Sequence, residues 1–169
     1  MHTKRCIYYE TQQFLFRFNR LPYGLSKADY SDRSFVTRMD NPDVLLVFGG
    51  TNDSWAKVPI GDYQYADWSK EDLYNFRPAF CRLMDYLIKN YPDTKIYNIT
   101  NSELSEGVTN SIDEICRHYG VPNIRLHDIE KQTGHPFIKG MKSINEQIWE
   151  VVGKEAVSQS GKAIFLFSL

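Results

Sequence analysis

The sequence has few cysteines, no excess of charge of either sign and no long hydrophobic run. Its 169 residues contain 20 Lys and Arg against 21 Asp and Glu, which gives a formal net charge of -1. That balance excludes the strongly basic surface of a general nucleic-acid-binding protein, so we expect no nucleic acid as a partner. No apolar run approaches the roughly 18 residues that a membrane span needs, so no span is expected. Ten Phe, 11 Tyr and three Trp supply more apolar surface than a disordered chain carries.

The three cysteines, Cys6, Cys81 and Cys116, are odd in number and widely spaced. This pattern indicates reduced thiols in a core, neither a disulfide framework nor a zinc site, and we expect no metal. Residues 1–6 are basic, but the polar residues after them do not form the apolar segment of a secretory signal peptide. The sequence as written is therefore predicted to be cytoplasmic.

From residue 43 onward, short apolar runs alternate with longer segments of helical periodicity, which favours an α/β domain with a parallel sheet. Residues 43–48 read DVLLVF, as expected for a strand that is buried on both faces. We assign residues 29–153 to this domain, residues 1–28 to an uncertain N-terminal segment and residues 154–169 to a C-terminal tail. The apolar residues 163–167 of the tail form either an additional strand or an exposed terminus.

Capping residues predict where the helices begin and end. Ser69 with Asp72 three residues later forms a capping-box pattern, which predicts a helix start at Ser69. Pro78 interrupts the apolar stripe that follows, so we expect a kink or a late helix start there. Gly153 is the predicted end of the last helix.

One candidate site follows the most hydrophobic strand, where the chain reads Gly49-Gly50-Thr51-Asn52-Asp53. In parallel α/β sheets, ligands bind at the carboxyl ends of the strands. The glycines allow a ligand to approach the backbone closely, and the Asn52 amide can donate to a developing oxyanion. The same residue types are common in plain turns, so on spacing alone both interpretations stay open.

A second candidate is His135, in the sequence Gly134-His135-Pro136. The last predicted helix follows it and begins near Gly140. An imidazole at this edge of a sheet is well placed to act as a general base. A lone loop histidine is nevertheless more often a surface residue.

The other histidines are weaker candidates. His118 lies near the predicted C-terminus of a helix, where the helix dipole is explanation enough. His127 adjoins Asp128 and is a candidate for a supporting role, and His2 lies close to the N-terminus.

Taken together, these motifs resemble the SGNH, or GDSL-like, hydrolases. The resemblance rests on Gly50-Thr51-Asn52-Asp53 after a buried strand, and on His135 before Pro136 and Gly140. It covers roughly residues 29–152. It implies a three-layer α/β sandwich with a parallel sheet, the flavodoxin-like SGNH-hydrolase fold.

The resemblance also implies an ester hydrolase that needs no cofactor. In that family a serine attacks the ester carbonyl, a histidine takes its proton, and backbone and side-chain donors hold the oxyanion. Carried onto this chain, His135 is the base and Asn52 the oxyanion donor, in a substrate loop that also contains Gly50, Asp53 and Trp55. The implied partner is a small-molecule ester or an acylated sugar.

The nucleophile is the first departure from the family pattern. The family places its serine in a Gly-Asp-Ser block before the Asn-bearing block, and this sequence has no such triplet. Residues 61–63 read Gly-Asp-Tyr and come after Asn52. Upstream of Asn52 lie Ser26, Ser31 and Ser34, none of which follows an apolar strand through a glycine turn. We therefore expect a truncated or degenerate member, inactive if it lacks the serine.

The acid that orients the histidine is the second departure. The family places it three residues before the histidine, where this chain has Gln132. An amide cannot stabilise an imidazolium as a carboxylate does. Asp128 and Glu130 are alternatives in the same loop.

Four aromatic residues lie in the stretch that follows Asn52: Trp55, Tyr63, Tyr65 and Trp68. We expect this loop to lie beside Asn52, where aromatic faces suit a sugar ring or an acyl group. The alternative is that these residues cover the edge of the core. The loop supports a competing function, a non-catalytic carbohydrate- or acyl-binding module. A flavodoxin-type nucleotide-binding domain is disfavoured, because no glycine-rich loop follows an early strand.

Overall fold

A five-stranded parallel sheet forms the centre of the molecule. The computed structural model describes residues 7–10, 43–132, 135–156 and 163–167. The strand order is β1-β7-β2-β3-β4, and every pairing within this sheet is parallel. The strands are β1 (Ile7–Glu10), β2 (Val44–Phe48), β3 (Lys95–Thr100), β4 (Asn123–Arg125) and β7 (Ala163–Phe167).

Helices cover both faces of this sheet. They are α1 (Thr51–Trp55), α2 (Phe76–Asn90), α3 (Glu106–Tyr119) and α4 (Ile138–Ala156), and a small antiparallel hairpin of β5 (Lys131–Gln132) and β6 (His135–Pro136) precedes α4. Helices α2 and α3 pack on one face in a core that includes Leu45 and Val47, and α4 packs on the other against Leu46 and Phe48. The three-layer α/β sandwich with a parallel sheet is therefore confirmed.

Strand β2 is the central element of both cores. Its successive side chains point to opposite faces of the sheet, and all five residues are buried. This double burial explains why the strand is a continuous apolar run without polar alternation. The strand thus gives the turn that follows it a rigid base.

The capping box at Ser69 forms, but the helix prediction there is wrong. Ser69 Oγ and its backbone N–H both donate to Asp72 Oδ2, at 2.7 and 2.8 Å. Only one 3₁₀ turn, Asp72–Tyr74, follows, and α2 begins at Phe76. The late start predicted at Pro78 is confirmed, because Pro78 occupies the first turn of α2, where no intrahelical N–H partner is needed.

Gly153 does not end the last helix, which continues to Ala156. A Cβ at this position would lie 2.6 Å from the Trp149 ring. The glycine therefore makes room for the Trp149 indole against the helix backbone. The sequence pattern indicated a stop because glycine serves both purposes.

The C-terminal residues 163–167 form an additional strand, which is one of the two predicted alternatives. Strand β7 lies between β1 and β2, with Ala163 paired to Val44 and Phe167 paired to Phe48. The end segments of the chain thus contribute two strands to the sheet that the middle segment builds. In the part of the chain that the structure describes, no helix is long and apolar enough to cross a membrane.

Candidate functional site

Three loops start at the carboxyl ends of β2, β3 and β4 and meet at one edge of the sheet. They comprise residues 49–53, 101–105 and 126–137. Both predicted site positions, Asn52 and His135, lie in these loops. Hydrogen bonds connect each loop to the next.

The first loop is a tight turn from β2 directly into α1. Gly50 caps α1 with φ of 92°, a left-handed conformation that favours glycine. A Cβ there would approach Ile112 and Val108 side chains at 3.2 and 3.3 Å, so substitution would also crowd the core. Thr51 and Asp53 are buried, whereas Asn52 between them is only partly buried.

Residues of the second loop hold α1 in place. Asn101 Nδ2 donates to Thr51 Oγ1 at 3.1 Å, on the residue before Asn52. The backbone N–H of Ser105 donates to Ser54 Oγ at 2.7 Å, two residues after Asn52. Residues on both sides of Asn52 are therefore bonded to the loop after β3.

The third loop is attached to the second by Lys131. Its Nζ donates to the carbonyl oxygen of Ser102 and to Glu103 Oε2, each at 3.0 Å. In the hairpin, Lys131 pairs with Pro136 and Gln132 pairs with His135. The backbone of His135 is thus placed in β6, three residues before α4 begins at Ile138.

The alternative acids of this loop have other surroundings. Asp128 Oδ2 lies 3.0 Å from His127 Nδ1, and both side chains are largely exposed. The backbone of His127 is held by Gln147 of α4, at 3.1 and 2.8 Å. Glu130 is exposed. Gln132 is the register partner of His135, so the family's acid position lies directly across the hairpin from it.

The described serines at this edge differ in their hydrogen bonds. Ser54 Oγ accepts a hydrogen bond from Ser105, and Ser105 Oγ accepts one from Val108 at the start of α3. Ser102 Oγ is buried and has no hydrogen-bond partner among the described residues. The upstream candidates Ser26, Ser31 and Ser34 lie outside the described residues.

The position of β7 brings a further strand to this edge, a placement that sequence reasoning did not predict. Because β7 is parallel to β2 with Phe167 opposite Phe48, it ends at the same sheet edge as the Asn52 turn. The next residue in the sequence is Ser168, outside the described residues.

The aromatic loop does not lie beside Asn52, apart from Trp55. The Tyr65 ring stacks on His118 with centroids 3.6 Å apart, and it meets Tyr119 edge-on at 6.0 Å. His118 and Tyr119 end α3, which runs away from the Asn52 edge. Trp55, in contrast, ends α1 and is 53% exposed.

Arg77 fixes the middle of this aromatic loop. Its guanidinium lies 4.1 Å from the centre of the Tyr63 ring and donates to Ser111 Oγ and to the Gly61 carbonyl, at 2.9 and 3.0 Å. The Trp68 indole donates to the carbonyl of Gln64 at 2.7 Å. The loop therefore covers the α2–α3 layer, as the alternative interpretation predicted.

Two cysteines are buried free thiols between the sheet and α2–α3. Burial raises the pKa of the Cys81 thiol to about 11 and that of Cys116 to about 12. Their burial as free thiols confirms the prediction of reduced core thiols for this pair, and Cys6 lies outside the described residues. Among the described residues, no three His, Cys, Asp or Glu side chains cluster to hold a metal ion.

Comparison with known proteins agrees with this architecture. Residues 21–152 match the family model for GDSL-like lipase/acylhydrolase. A crystal structure from Bacteroides uniformis, named a GDSL-like lipase, is 65% identical with a TM-score of 0.69. A second, from Bacteroides ovatus and of the same name, is 51% identical with a TM-score of 0.68.

These two matches cover only part of each relative's chain. Both cover 78% of this chain, but only 63% and 65% of the respective relatives, so the chain spans less than two thirds of their length. A structure of a protein from Lactobacillus plantarum is 19% identical with a TM-score of 0.60. The match covers 76% of this chain and 75% of that protein, and it shows the fold alone. No protein among those with curated functions matches.

Proposed function

The chain belongs to the GDSL-like lipase/acylhydrolase family, and from this premise we propose that it hydrolyses carboxylic esters at the carboxyl edge of its sheet. The supporting observation is the linked set of loops there. Thr51 and Ser54 tie the Asn52 turn to the loop after β3, and Lys131 ties that loop to the His135 hairpin. Residues 83 positions apart in the sequence are thus held in one framework.

Each residue has a separate role in the proposed reaction. A serine hydroxyl attacks the ester carbonyl while the His135 imidazole accepts its proton. The carbonyl oxygen becomes an oxyanion, which the Asn52 amide stabilises together with backbone N–H groups. Collapse of the tetrahedral intermediate expels the alcohol, which His135 protonates. Water then attacks the acyl-enzyme, with His135 accepting its proton and returning it to the serine.

We propose Ser168 as the nucleophile. It follows a buried-type apolar strand whose last residue is level with Phe48, the residue just before Gly49-Gly50. Among the described serines at the same edge, Ser54 and Ser105 accept backbone hydrogen bonds and Ser102 Oγ is buried. We base this proposal on its sequence neighbour Phe167, which is paired with Phe48 at the edge from which the Asn52 turn starts.

The surroundings of the site suit a short acyl group. Trp55 at the end of α1 and Ile138 and Met141 at the start of α4 are exposed apolar residues on elements that border this edge. Exposed apolar side chains next to a polar turn are typical of sites that bind an acyl chain while polar donors hold its carbonyl. An acyl group carried on a sugar would meet the same surface.

Hydrolysis of p-nitrophenyl acetate tests the proposal. General-base removal costs about 10²- to 10⁴-fold in rate, so His135→Ala is expected to lower kcat/KM by that factor. The matched control is His118→Ala, which removes a histidine from the far end of α3 and is expected to keep kcat/KM within about twofold.

Two results would overturn the proposal. One is hydrolysis by the unaltered chain no faster than in buffer, and the other is equal activity of the His135→Ala and His118→Ala variants. A chain without hydrolysis that still binds an acetylated sugar in calorimetry would instead support the binding-module alternative.

A further inference from the structure

We infer that Lys131 is a positioning residue, which holds the hairpin that carries His135 against the loop after β3. The inference rests on the proposed function of His135 as the base. It concerns a residue that touches no reacting atom and that the family resemblance does not assign.

The burial of Lys131 is unusual for a lysine. Its side chain is 10% exposed, whereas the side chains of Lys89 and Lys142 are 70% and 77% exposed. Removing an ammonium group from water is costly unless hydrogen bonds and an opposite charge replace the water. Lys131 finds these in the Ser102 carbonyl and the Glu103 carboxylate, each 3.0 Å from Nζ.

The hairpin depends on such an anchor because it is very short. Strands β5 and β6 have two residues each, and isolated two-stranded hairpins are marginal in water even when longer. Lys131 pairs with Pro136, and the adjacent Gln132 pairs with His135. The anchor is thus one residue from the register partner of the proposed base.

The loop is also held from the opposite side by α4. A Cβ on Gly140 would lie 2.2 Å from the Glu130 carbonyl oxygen and 3.1 Å from Pro136 Cβ, so the helix backbone is in close contact with both strands' ends. Glu130 directly precedes Lys131. The hairpin is therefore in contact with α4, and Lys131 bonds it to the loop after β3.

The partner loop has a matching feature in Glu103. This residue has φ of 68°, a left-handed conformation that is unfavourable for a residue with a side chain. That conformation coincides with two contacts from Lys131, to the carbonyl before Glu103 and to its carboxylate. Loss of the ammonium would remove the side-chain contacts that join these two loops.

The expected consequence is a loss of turnover with little loss of binding. A displacement of about 1 Å in a catalytic group can cost about 10²-fold in rate. We expect Lys131→Met to lower kcat about 10- to 100-fold while KM changes less than about threefold. Lys131→Arg keeps a charged donor and is expected to recover most of kcat.

Lys142→Met is the matched control, because Lys142 is exposed on α4 and pairs only with Glu146 of the same helix among the described contacts. It is expected to leave kcat and KM unchanged. Equal kcat in Lys131→Met and Lys142→Met, with hydrolysis still dependent on His135, would overturn the positioning role and leave the proposed function standing.

Amide hydrogen exchange provides a readout that needs no activity. Lys131→Met is expected to speed exchange in residues 101–105 and 131–136 and to leave β2 and β3 protected. Exchange accelerated throughout the sheet would show a purely structural effect and contradict the inference, as would unchanged exchange in the hairpin. This result stands even if the proposed ester hydrolysis fails.

Discussion

At the carboxyl edge of the sheet, polar side chains bond to the backbone or side chains of neighbouring loops, whereas at the far end of α3 stacked rings hold the chain. Asn101 and Lys131 make the contacts of the first region, and Tyr65 and His118 those of the second. The 14 residues of α3 separate the two by about 20 Å. Both contain a histidine and aromatic residues, so composition alone does not distinguish them.

The difference lies in what each arrangement leaves accessible. In the aromatic loop, Tyr65 stacks on His118, and the Arg77 guanidinium lies over the Tyr63 ring and donates to Ser111. These groups contact one another within the α2–α3 layer. At the carboxyl edge, the bonds link residues around Asn52 and His135, while Trp55 stays exposed. A cluster whose groups bond mutually stabilises a fold, whereas a framework built around a residue positions it for a ligand.

The largest expected effect on this comparison comes from Asn52→Ala. Removal of one oxyanion donor costs about 10²- to 10³-fold in kcat. The matched control is Asn90→Ala at the end of α2, whose exposed amide bonds only the Tyr86 carbonyl among the described contacts, at 2.7 Å. Ester-hydrolysis kinetics should separate the two variants, and a similar kcat for both would contradict the assignment of Asn52.

A smaller effect is expected when one aromatic residue of each region is replaced by alanine. Trp55→Ala is expected to raise KM for a p-nitrophenyl butanoate about 3- to 10-fold with little change in stability, because it removes apolar contact area. Tyr65→Ala is expected to lower the free energy of unfolding by about 1–2 kcal/mol, through lost stacking on His118, with unchanged KM. Urea unfolding and kinetics on both variants check this, and a shared phenotype would erase the distinction between the regions.

The last expected effect is a pH dependence of the free energy of unfolding, which arises from two thiols in the α2–α3 layer. The Cys81 thiol has a pKa of about 11 in the folded chain, against 9.0 for an ordinary thiol, and Cys116 one of about 12. A folded-state pKa above the unfolded one gives stability that is present below pH 9.0 and is lost as the pH rises toward those values.

Between pH 8 and pH 10 this loss amounts to about 1 kcal/mol for each thiol. Urea unfolding of the chain and of a Cys81→Ala, Cys116→Ala double variant measures it. The double variant should lose less stability over this range. An identical pH dependence in both proteins would refute the attribution to these thiols, leaving tyrosines such as Tyr119, whose pKa burial also raises, as the source.

The sequence was sufficient for the parallel strands β2, β3 and β4 and for the position of the Asn52 turn. A continuous apolar run such as β2 has few alternatives to a strand buried on both faces, and Gly50 with its positive φ ends it in a predictable way. Adjacent parallel strands then bring the following loops to one edge. These are consequences of local pattern and topology.

Long-range contacts were beyond the sequence. Nothing local indicates that Tyr65 stacks on His118, 53 residues later, or that β7 inserts between β1 and β2. Gly153 was misread because the Trp149 ring that needs its space is a packing partner, not a capping signal. The buried contacts of Lys131 join residues 28 and 29 positions apart, and no spacing rule predicts them.

The central claim, a serine esterase site at the carboxyl edge, is tested most directly by reaction with diethyl p-nitrophenyl phosphate followed by peptide mass spectrometry. The account predicts a single phosphorylated serine, Ser168, whose labelling persists in the His118→Ala variant and is lost in His135→Ala. No adduct, or an adduct that forms equally well without His135, would contradict it.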